Sequence, residues 1–350
     1  MPGYSANFSI NLLAIPCHFP AKGNFEPLEV SATIQGFRVT AKLIKSPDSV
    51  SIKSAEKDFH AYFYDTLEIQ ISDKNEDLSS APFITGRAMY LLHHFQPIIL
   101  ETINRLIDYF KYTKKHPKLR EVTTADLLEQ DESLYNPIWK TSDGTPFVVS
   151  EGPLSSGIIS FGKAYYLTEP VGIEAITVSD QAALQAHFGL ARKPANLSLQ
   201  VLSDAQDAAL SNNIRRATLE LAIAIETFVK SSFFKQERIA GAAFEYLEDK
   251  GRETLKVTEL LDTVSNYAFG ESFKSKSKKS YQTIDYIFRC RNKVAHRGDA
   301  IYRDDQGTWH RPNQNDLNEW WSATLEMFDW LNEKVASMKE PPSNTNSDEH

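Results

Sequence analysis

Cysteine is scarce in this chain: among its 350 residues only Cys17 and Cys290 are cysteines. Two cysteines exclude a disulfide framework, and no Cys-x-x-Cys or Cys/His spacing typical of a metal site occurs. A reducing, cytoplasmic compartment is therefore expected. The phosphate-loop patterns GxxxxGKS/T and GxGxxG and the hydrolase pattern GxSxG are also missing. The sequence thus predicts neither a metal nor a cofactor.

Long apolar runs are missing as well. No stretch approaches the roughly 20 apolar residues of a transmembrane helix. The N-terminus, MPGYSANFSINLLAIPCHF, has neither the basic region nor the long apolar core of a signal peptide. The chain has 38 Lys and Arg against 46 Asp and Glu, a formal net charge of −8. This balance argues against unspecific coating of nucleic acid or of a membrane, and it leaves room for a local basic site.

The length predicts about two domains, and residues 1–200 have the pattern of an α+β domain. The sequence EVSATIQGFRVTAKLI is typical of a hairpin that turns at Gln35-Gly36. From Arg87 to Tyr112 apolar residues recur every three or four positions, which predicts an amphipathic helix that contains Pro97 or starts near it. The predicted strands are Phe8–Ile15, Leu28–Ile34, Phe37–Ile44, Leu67–Ile71, Phe147–Val149, Ile158–Phe161 and Ile173–Val178. A short helix over 124–129 and another after Ser179 are also predicted.

The character of the sequence changes around Pro194–Ser203, and residues 203–338 have the pattern of an all-α domain. Gly251, Gly270 and Gly298 stand where helices are expected to end. The predicted helices are 204–234, 236–248, 257–269, 278–297 and 315–338. The last residues, 339–350, are polar and contain prolines, which predicts a disordered tail.

The stretch RCRNKVAHRG, residues 289–298, concentrates cations around a histidine. Histidine can take up and return a proton near neutral pH, and arginine presents a planar fork of donors to phosphate oxygens. Arg291 and His296 together suit the transesterification of RNA, in which one group moves a proton and the other stabilises charge on the phosphoryl group. This chemistry needs no metal.

The spacing of this pair raises a geometric problem. On a helix, five residues separate Arg291 and His296 by roughly 140°, whereas Asn292 and His296 share a face. A joint role therefore requires that the helix ends before His296, that the arginine reaches around the helix, or that a second subunit completes the site.

The sequence RNKVAH, from Arg291 to His296, resembles the R-x4-H motif of the HEPN superfamily (higher eukaryotes and prokaryotes nucleotide-binding), and Asn292 fits the polar residue that follows the arginine. The earlier segment RRATLELAIAIETFVKSSFF resembles the helix with an Ala-x-Glu pattern that precedes the motif helix in such proteins, with Glu226 as the glutamate. The resemblance covers residues 203–338 and leaves the N-terminal half unassigned.

The resemblance implies a helical bundle, a metal-independent endoribonuclease, and an active site formed across a homodimer. Arg291, Asn292 and His296 would be catalytic, with Glu226, Arg289 and Lys293 in support. The implied setting is a prokaryotic toxin or an anti-phage, abortive-infection defence system, in which the N-terminal domain has a recognition or regulatory role and responds to a regulatory partner or a phage-derived trigger. The competing hypothesis is a non-catalytic dimerisation or RNA-binding module that acts as an adaptor in a larger complex.

Structural explanations compete with each functional one. His296, Arg289, Arg291 and Lys293 lie where cations offset the dipole of a helix C-terminus. Glu226 is spaced to pair with Lys230, and Arg291 is the alternative partner if Glu226 is buried. The tryptophans of the last helix are typical of a core or of a dimer interface. The run KSKSKKS is either a solvated loop or a phosphate-contacting arm for RNA. Its lysines are Lys274, Lys276, Lys278 and Lys279.

Overall fold

The computed structural model describes residues 4–18, 27–45, 50–53, 58–73, 84–117, 119, 121–124, 138–141, 146–147, 178–234 and 256–338. The chain divides into two compact units, residues 1–194 and 195–350. Several predicted elements lie outside the described residues: the strand at 158–161, nearly all of the strand at 173–178, most of the short helix at 124–129, the helix at 236–248 and the tail at 339–350.

The N-terminal unit contains a seven-stranded antiparallel sheet. Its strands follow the order β2-β3-β5-β1-β6-β7, and β4 pairs with β5. The strands are β1 (Tyr4–His18), β2 (Leu28–Ile34), β3 (Phe37–Lys45), β4 (Val50–Lys53), β5 (Asp58–Asp73), β6 (Ile138–Thr141) and β7 (Pro146–Phe147). The predicted hairpin is confirmed: β2 and β3 pair from Leu28↔Leu43 to Ile34↔Phe37. Gln35 and Gly36 both have positive φ, 51° and 89°, as a two-residue hairpin turn of matching twist requires.

Two helices cover one face of this sheet with apolar side chains. Helix α1 (Ile84–Asp108) contains Pro97 and ends in a π-helical turn, Tyr109–Thr113; this confirms the predicted helix. Helix α2 (Gln181–Gly189) follows a 3-10 turn, Val178–Asp180, and starts after Ser179 as predicted. The shared core contains alternate residues of the strands and one stripe of α1: Val30, Val39, Ile69, Ile71, Phe95, Ile99, Ile103 and Phe110.

Side chains of α2 also bond to the backbone of β2. The Ser31 N–H donates to Gln185 Oε1 at 2.9 Å, and Gln185 Nε2 donates to the Ser31 carbonyl at 2.7 Å. Gln181 bonds to both backbone groups of Glu29 in the same way. Two glutamines one turn apart on α2 thus occupy the backbone groups of alternate residues of this strand.

The C-terminal unit is mainly helical. Its elements are α3 (Leu197–Leu210), α4 (Ile214–Phe234), α5 (Val257–Glu259), a π-helical turn (Leu260–Val264), α6 (Ser265–Phe269), α7 (Phe273–Lys276), α8 (Lys278–Arg297), β8 (Tyr302–Arg303), β9 (Trp309–His310) and α9 (Gln314–Ser337). The prediction of α8 is confirmed at both ends. The long final helix is also confirmed, one residue earlier than predicted.

Three predictions for this unit are wrong in detail. The helix predicted over 204–234 is broken at Ser211–Asn213, where Asn212 has a φ of 54°. The Asn213 side chain then caps α4 by accepting from the Arg216 N–H at 3.2 Å. The lysine-rich stretch is not a loop, because Ser272 caps the short helix α7. The unit is not all-α, since β8 and β9 form a small antiparallel hairpin.

The apolar faces of α4, α8 and α9 meet in one core. The stacked rings of Phe228 and Phe328 lie 3.7 Å apart between centroids, and the last-helix tryptophans are buried, as the core alternative predicts. The central members are Leu221, Ile225, Phe273, Ile284, Ile287, Cys290, Trp320, Met327 and Leu331. None of the helices in the described ranges combines the length and apolar character needed to cross a bilayer.

Candidate functional site

Helix α8 presents the motif on its last two turns. Its core face is formed by Ile284, Ile287, Cys290 and Val294, which are all buried. These positions recur at steps of three and four, so the residues between them point outward. The helix ends after Arg297, where Gly298 adopts a left-handed conformation (φ 72°) and its N–H bonds to the Val294 carbonyl at 2.9 Å. The core anchoring and this cap fix the orientation of the motif residues.

The helix continues through His296, which excludes one of the three explanations for a joint role of Arg291 and His296. Because α8 ends only at Arg297, the two Cα–Cβ directions stay roughly 140° apart. Asn292 and His296 are both exposed and lie one turn apart, where side chains are neighbours at roughly 5–6 Å between Cβ atoms. Asn292 and His296 therefore form one exposed face.

The Arg291 side chain reaches towards this face. Its Nη1 donates a hydrogen bond to Asn292 Oδ1 at 3.2 Å, while the residue itself is half-buried. The bond turns the guanidinium around the helix towards the side that carries His296. The structure thus joins Arg291 to Asn292 directly, and Asn292 to His296 by their shared face.

Arg289 has other partners. Its guanidinium binds the carboxylates of Asp285 at 2.6 Å and Asp305 at 2.7 Å, and it donates to the Arg303 carbonyl at 3.0 Å. It also lies over the Tyr286 ring, 5.4 Å from the centroid. Asp305 and Arg303 belong to the β8–β9 hairpin. Arg289 therefore ties this hairpin to α8, and a supporting role in the site would be exerted through the hairpin.

Lys293 connects the motif to an exposed tryptophan that the sequence did not single out. Its Nζ lies 5.4 Å from the centroid of the Trp309 ring, and Trp309 is 53% exposed. Side chains connect the two strands of the hairpin: His310 bonds to Asp304 at 2.8 Å and stacks on Tyr302. The only sequence signal for Trp309 was a large aromatic residue in a short polar segment.

Glu226 pairs with a lysine of its own helix. Lys230 Nζ lies 2.9 Å from Glu226 Oε1, as the spacing predicted, whereas Arg291 donates to Asn292. Glu220 is likewise paired with Arg216 at 2.8 Å. The alternative in which Glu226 holds Arg291 is not formed.

The lysines of the KSKSKKS run divide into two groups. Lys274 binds Asp262 at 2.6 Å and lies over the Tyr281 ring, and the hydrogen bond to Asp262 raises the pKa of Lys274. Lys276, Lys278 and Lys279 are exposed, and none of the three has an ion-pair partner in the described part of the chain. Lys278 and Lys279 are free to contact phosphates, whereas Lys274 has a structural partner. Lys276 acts on Glu271, because its charge adds to the hydrogen bond from Lys334 that lowers the pKa of that carboxyl.

Across the ranges that the structure describes, no group of three or more His, Cys, Asp or Glu side chains is placed to hold a metal ion. Comparison of the chain with protein-family models, with curated proteins and with solved structures gives no match. The functional assignment therefore has to be argued from the motif and its surroundings.

Proposed function

We propose that the C-terminal unit is a HEPN-type endoribonuclease domain that cleaves RNA without a metal ion. The observation that carries this proposal is the bond between Arg291 and Asn292, which turns a phosphate-binding fork towards the face of the only histidine in the motif. A cation aimed beside an acid/base group is the arrangement that phosphoryl transesterification uses.

The reaction assigns one task to each side chain. His296 removes the proton of the ribose 2′-hydroxyl, and O2′ attacks the adjacent phosphorus. The P–O5′ bond breaks, and the protonated His296 returns its proton to the leaving O5′. Arg291 stabilises the negative charge of the pentacoordinate phosphorus, and Asn292 holds the guanidinium in place. The products are a 2′,3′-cyclic phosphate and a 5′-hydroxyl.

In a homodimer, the motif of the second subunit can complete the site. Two copies of the exposed Asn292–His296 face, related by a two-fold axis, would bring both motifs together. The N-terminal unit would then regulate the nuclease in response to a partner or a phage-derived trigger. A toxin or anti-phage defence setting follows from the same resemblance, and the protein would act in the cytoplasm.

The first experiment compares the parent protein with an Arg291→Ala/His296→Ala variant on total cellular RNA in EDTA. We expect cleavage by the parent alone, with 2′,3′-cyclic phosphate or 3′-phosphate ends. Arg297→Ala is the matched control, because Arg297 is an exposed neighbour of His296 outside the R-x4-H motif. Equal cleavage by parent and double variant would overturn the assignment of the site.

A mixing experiment tests whether the site is shared between subunits. Chains carrying Arg291→Ala are combined with chains carrying His296→Ala, each inactive alone. If each site takes the arginine of one chain and the histidine of the other, mixed dimers contain one intact site and activity returns to roughly a quarter of the parent level. If verified mixed dimers regain no cleavage activity, the arginine and the histidine of one site do not come from different subunits.

One observation favours the binding-module alternative. Within the described residues, His296 has no carboxylate or carbonyl partner that would orient its ring, whereas catalytic histidines are usually held by such a group. Under this alternative the protein binds RNA and leaves it intact. Expression separates the two functions, because only the nuclease predicts growth arrest that His296→Ala relieves.

A further inference from the structure

A cleft opens in the C-terminal unit where three connecting segments meet. Its volume is about 450 Å³, within the range of sites that hold small ligands. The walls come from the turn before α4 and its first residues, from the segment after α8, and from the segment before α9. The lining residues are Asn212, Asn213, Ile214, Arg215, Ala300, Arg311 and Pro312.

The charged side chains that line this cleft are all positive. Arg215 and Arg311 line it, and its lining includes no carboxylate among the residues that the structure describes. Both arginines are exposed, and neither has an ion-pair or hydrogen-bond partner within the described ranges. Arg216, the next residue on α4, is instead neutralised by Glu220 at 2.8 Å. Two guanidinium groups without partners at one concave surface are suited to bind the oxygens of a phosphate.

The cleft lies at the end of α8 that carries the motif. Ala300 follows His296 by four residues, beyond the Gly298 cap. Arg311 follows the exposed Trp309 by two residues, and Trp309 is in contact with Lys293 of the motif helix. Asp299 precedes Ala300 but does not line the cleft. A strand bound at the motif would therefore have a phosphate site and an exposed ring close to its path.

We propose that Arg215 and Arg311 bind a backbone phosphate of single-stranded RNA next to the cleaved linkage. This assignment rests on the proposed function, because it takes the strand at Asn292 and His296 as its neighbour. The cleft would hold the strand in register by its backbone and would be indifferent to base sequence.

The test measures binding apart from cleavage. A fluorescein-labelled 12-nucleotide 2′-O-methyl RNA lacks the attacking hydroxyl, so its anisotropy reports affinity alone. For the full-length Arg215→Gln/Arg311→Gln variant we expect binding about tenfold weaker or worse. The slope of log affinity against log salt should fall by about 0.7, since the two arginines share one phosphate and each phosphate contact on a single strand contributes about 0.7.

Arg216→Gln is the matched control. It removes one positive charge, half as much as the double variant, at the residue next to Arg215; the Arg216 side chain lies outside the cleft and pairs with Glu220. We expect less than a twofold change and an unaltered salt slope. Parent-like affinity of the double variant overturns the proposal, and so does an equal loss in Arg216→Gln, which would show a general charge effect. Unchanged thermal melting of the variants confirms that the fold is intact.

Competition distinguishes an RNA strand from a free nucleotide as the source of the phosphate. The proposal predicts that unlabelled 2′-O-methyl RNA displaces the probe at far lower concentration than AMP or inorganic phosphate. Displacement by AMP at equal concentration would overturn the RNA assignment and indicate a nucleotide site. The probe resists cleavage, so binding and cleavage are measured separately. If the protein cleaves no RNA but the double variant binds the probe more weakly, only the nuclease proposal is refuted. If the protein cleaves RNA and the double variant binds the probe like the parent, only the cleft proposal is refuted.

Discussion

Two arginines of α8, two residues apart, are predicted to have opposite mutational effects. Arg289 contacts Asp285, Asp305, the Arg303 carbonyl and the Tyr286 ring, whereas Arg291 has one bond, to Asn292. Substitution by methionine keeps much of the apolar stem of each side chain and removes the charge. We expect Arg289→Met to lower stability and Arg291→Met to lower activity at nearly unchanged stability.

The magnitude for Arg289→Met follows from its contacts. The side chains of Arg289 and Asp305 are 38% and 53% exposed, so solvent screens the ion pairs. Exposed pairs contribute about 0.2–1 kcal/mol each, and a cation over an exposed ring about 0.5–1 kcal/mol. The hydrogen bond to the Arg303 carbonyl adds a similar amount, and the contributions are not additive. We expect a loss of about 1.5 kcal/mol for Arg289→Met, and about 0.5 kcal/mol or less for Arg291→Met.

Urea unfolding followed by tryptophan fluorescence reports the loss of stability of the C-terminal unit. Four of the five tryptophans, Trp309, Trp320, Trp321 and Trp330, belong to the C-terminal unit. With a slope of about 2 kcal/mol per molar urea, 1.5 kcal/mol corresponds to a midpoint lower by about 0.75 M. An unchanged midpoint for Arg289→Met combined with lost RNA cleavage would refute the anchoring role. Equal midpoint shifts in both variants would refute the contrast between the two arginines.

Three further predictions concern single side chains. Burial, partly offset by Asp108, lowers the pKa of His187; the unfolded chain therefore takes up a proton below about pH 6.5 that the folded chain resists. Thermal stability of the N-terminal unit should fall as the pH drops below that value, and His187→Gln should flatten this dependence. Burial also raises the pKa of Cys290 to about 11, so in a Cys17→Ser variant a thiol reagent at pH 8 should react only after unfolding; immediate stoichiometric reaction would contradict this. Ile287→Ala, at a position 0% exposed, should cost about 2–4 kcal/mol in the urea assay, and a change below 1 kcal/mol would argue against its place in the core.

Much of the secondary structure was predictable because local signals agreed. Helix α8 has a core stripe at steps of three and four and a glycine where its last carbonyls need a left-handed residue, and both of its ends were predicted correctly. The β2–β3 hairpin was predictable because the Gln35-Gly36 turn lies between two runs of strand-forming residues. The interruption at Ser211–Asn213 was missed, although Asn213 followed by a helical pattern is a capping signal. It was missed because apolar residues recur at helical spacing both before and after the interruption.

The site was less predictable, because its decisive contacts join residues that lack a shared local pattern. The motif marked Arg291, Asn292 and His296, and helical geometry showed that two of them share a face. The direction of the Arg291 side chain depends on its bond to Asn292, which a spacing rule does not specify. The stack of Lys293 on Trp309 requires the β8–β9 hairpin, whose strands have two residues each and no alternating pattern.

The glutamine contacts of α2 have a consequence for how the N-terminal unit can meet other proteins. An edge strand normally exposes donors and acceptors that a strand from another chain can adopt. At Glu29 and Ser31 of β2 these groups are already taken by Gln181 and Gln185, so two amides of a helix stand in for a neighbouring strand. Sheet extension at this edge would first have to detach α2, whose Leu184 and Phe188 are buried in the core. A protein that binds this unit near the β2 edge is therefore expected to recognise side chains on its surface and to leave the sheet unextended there.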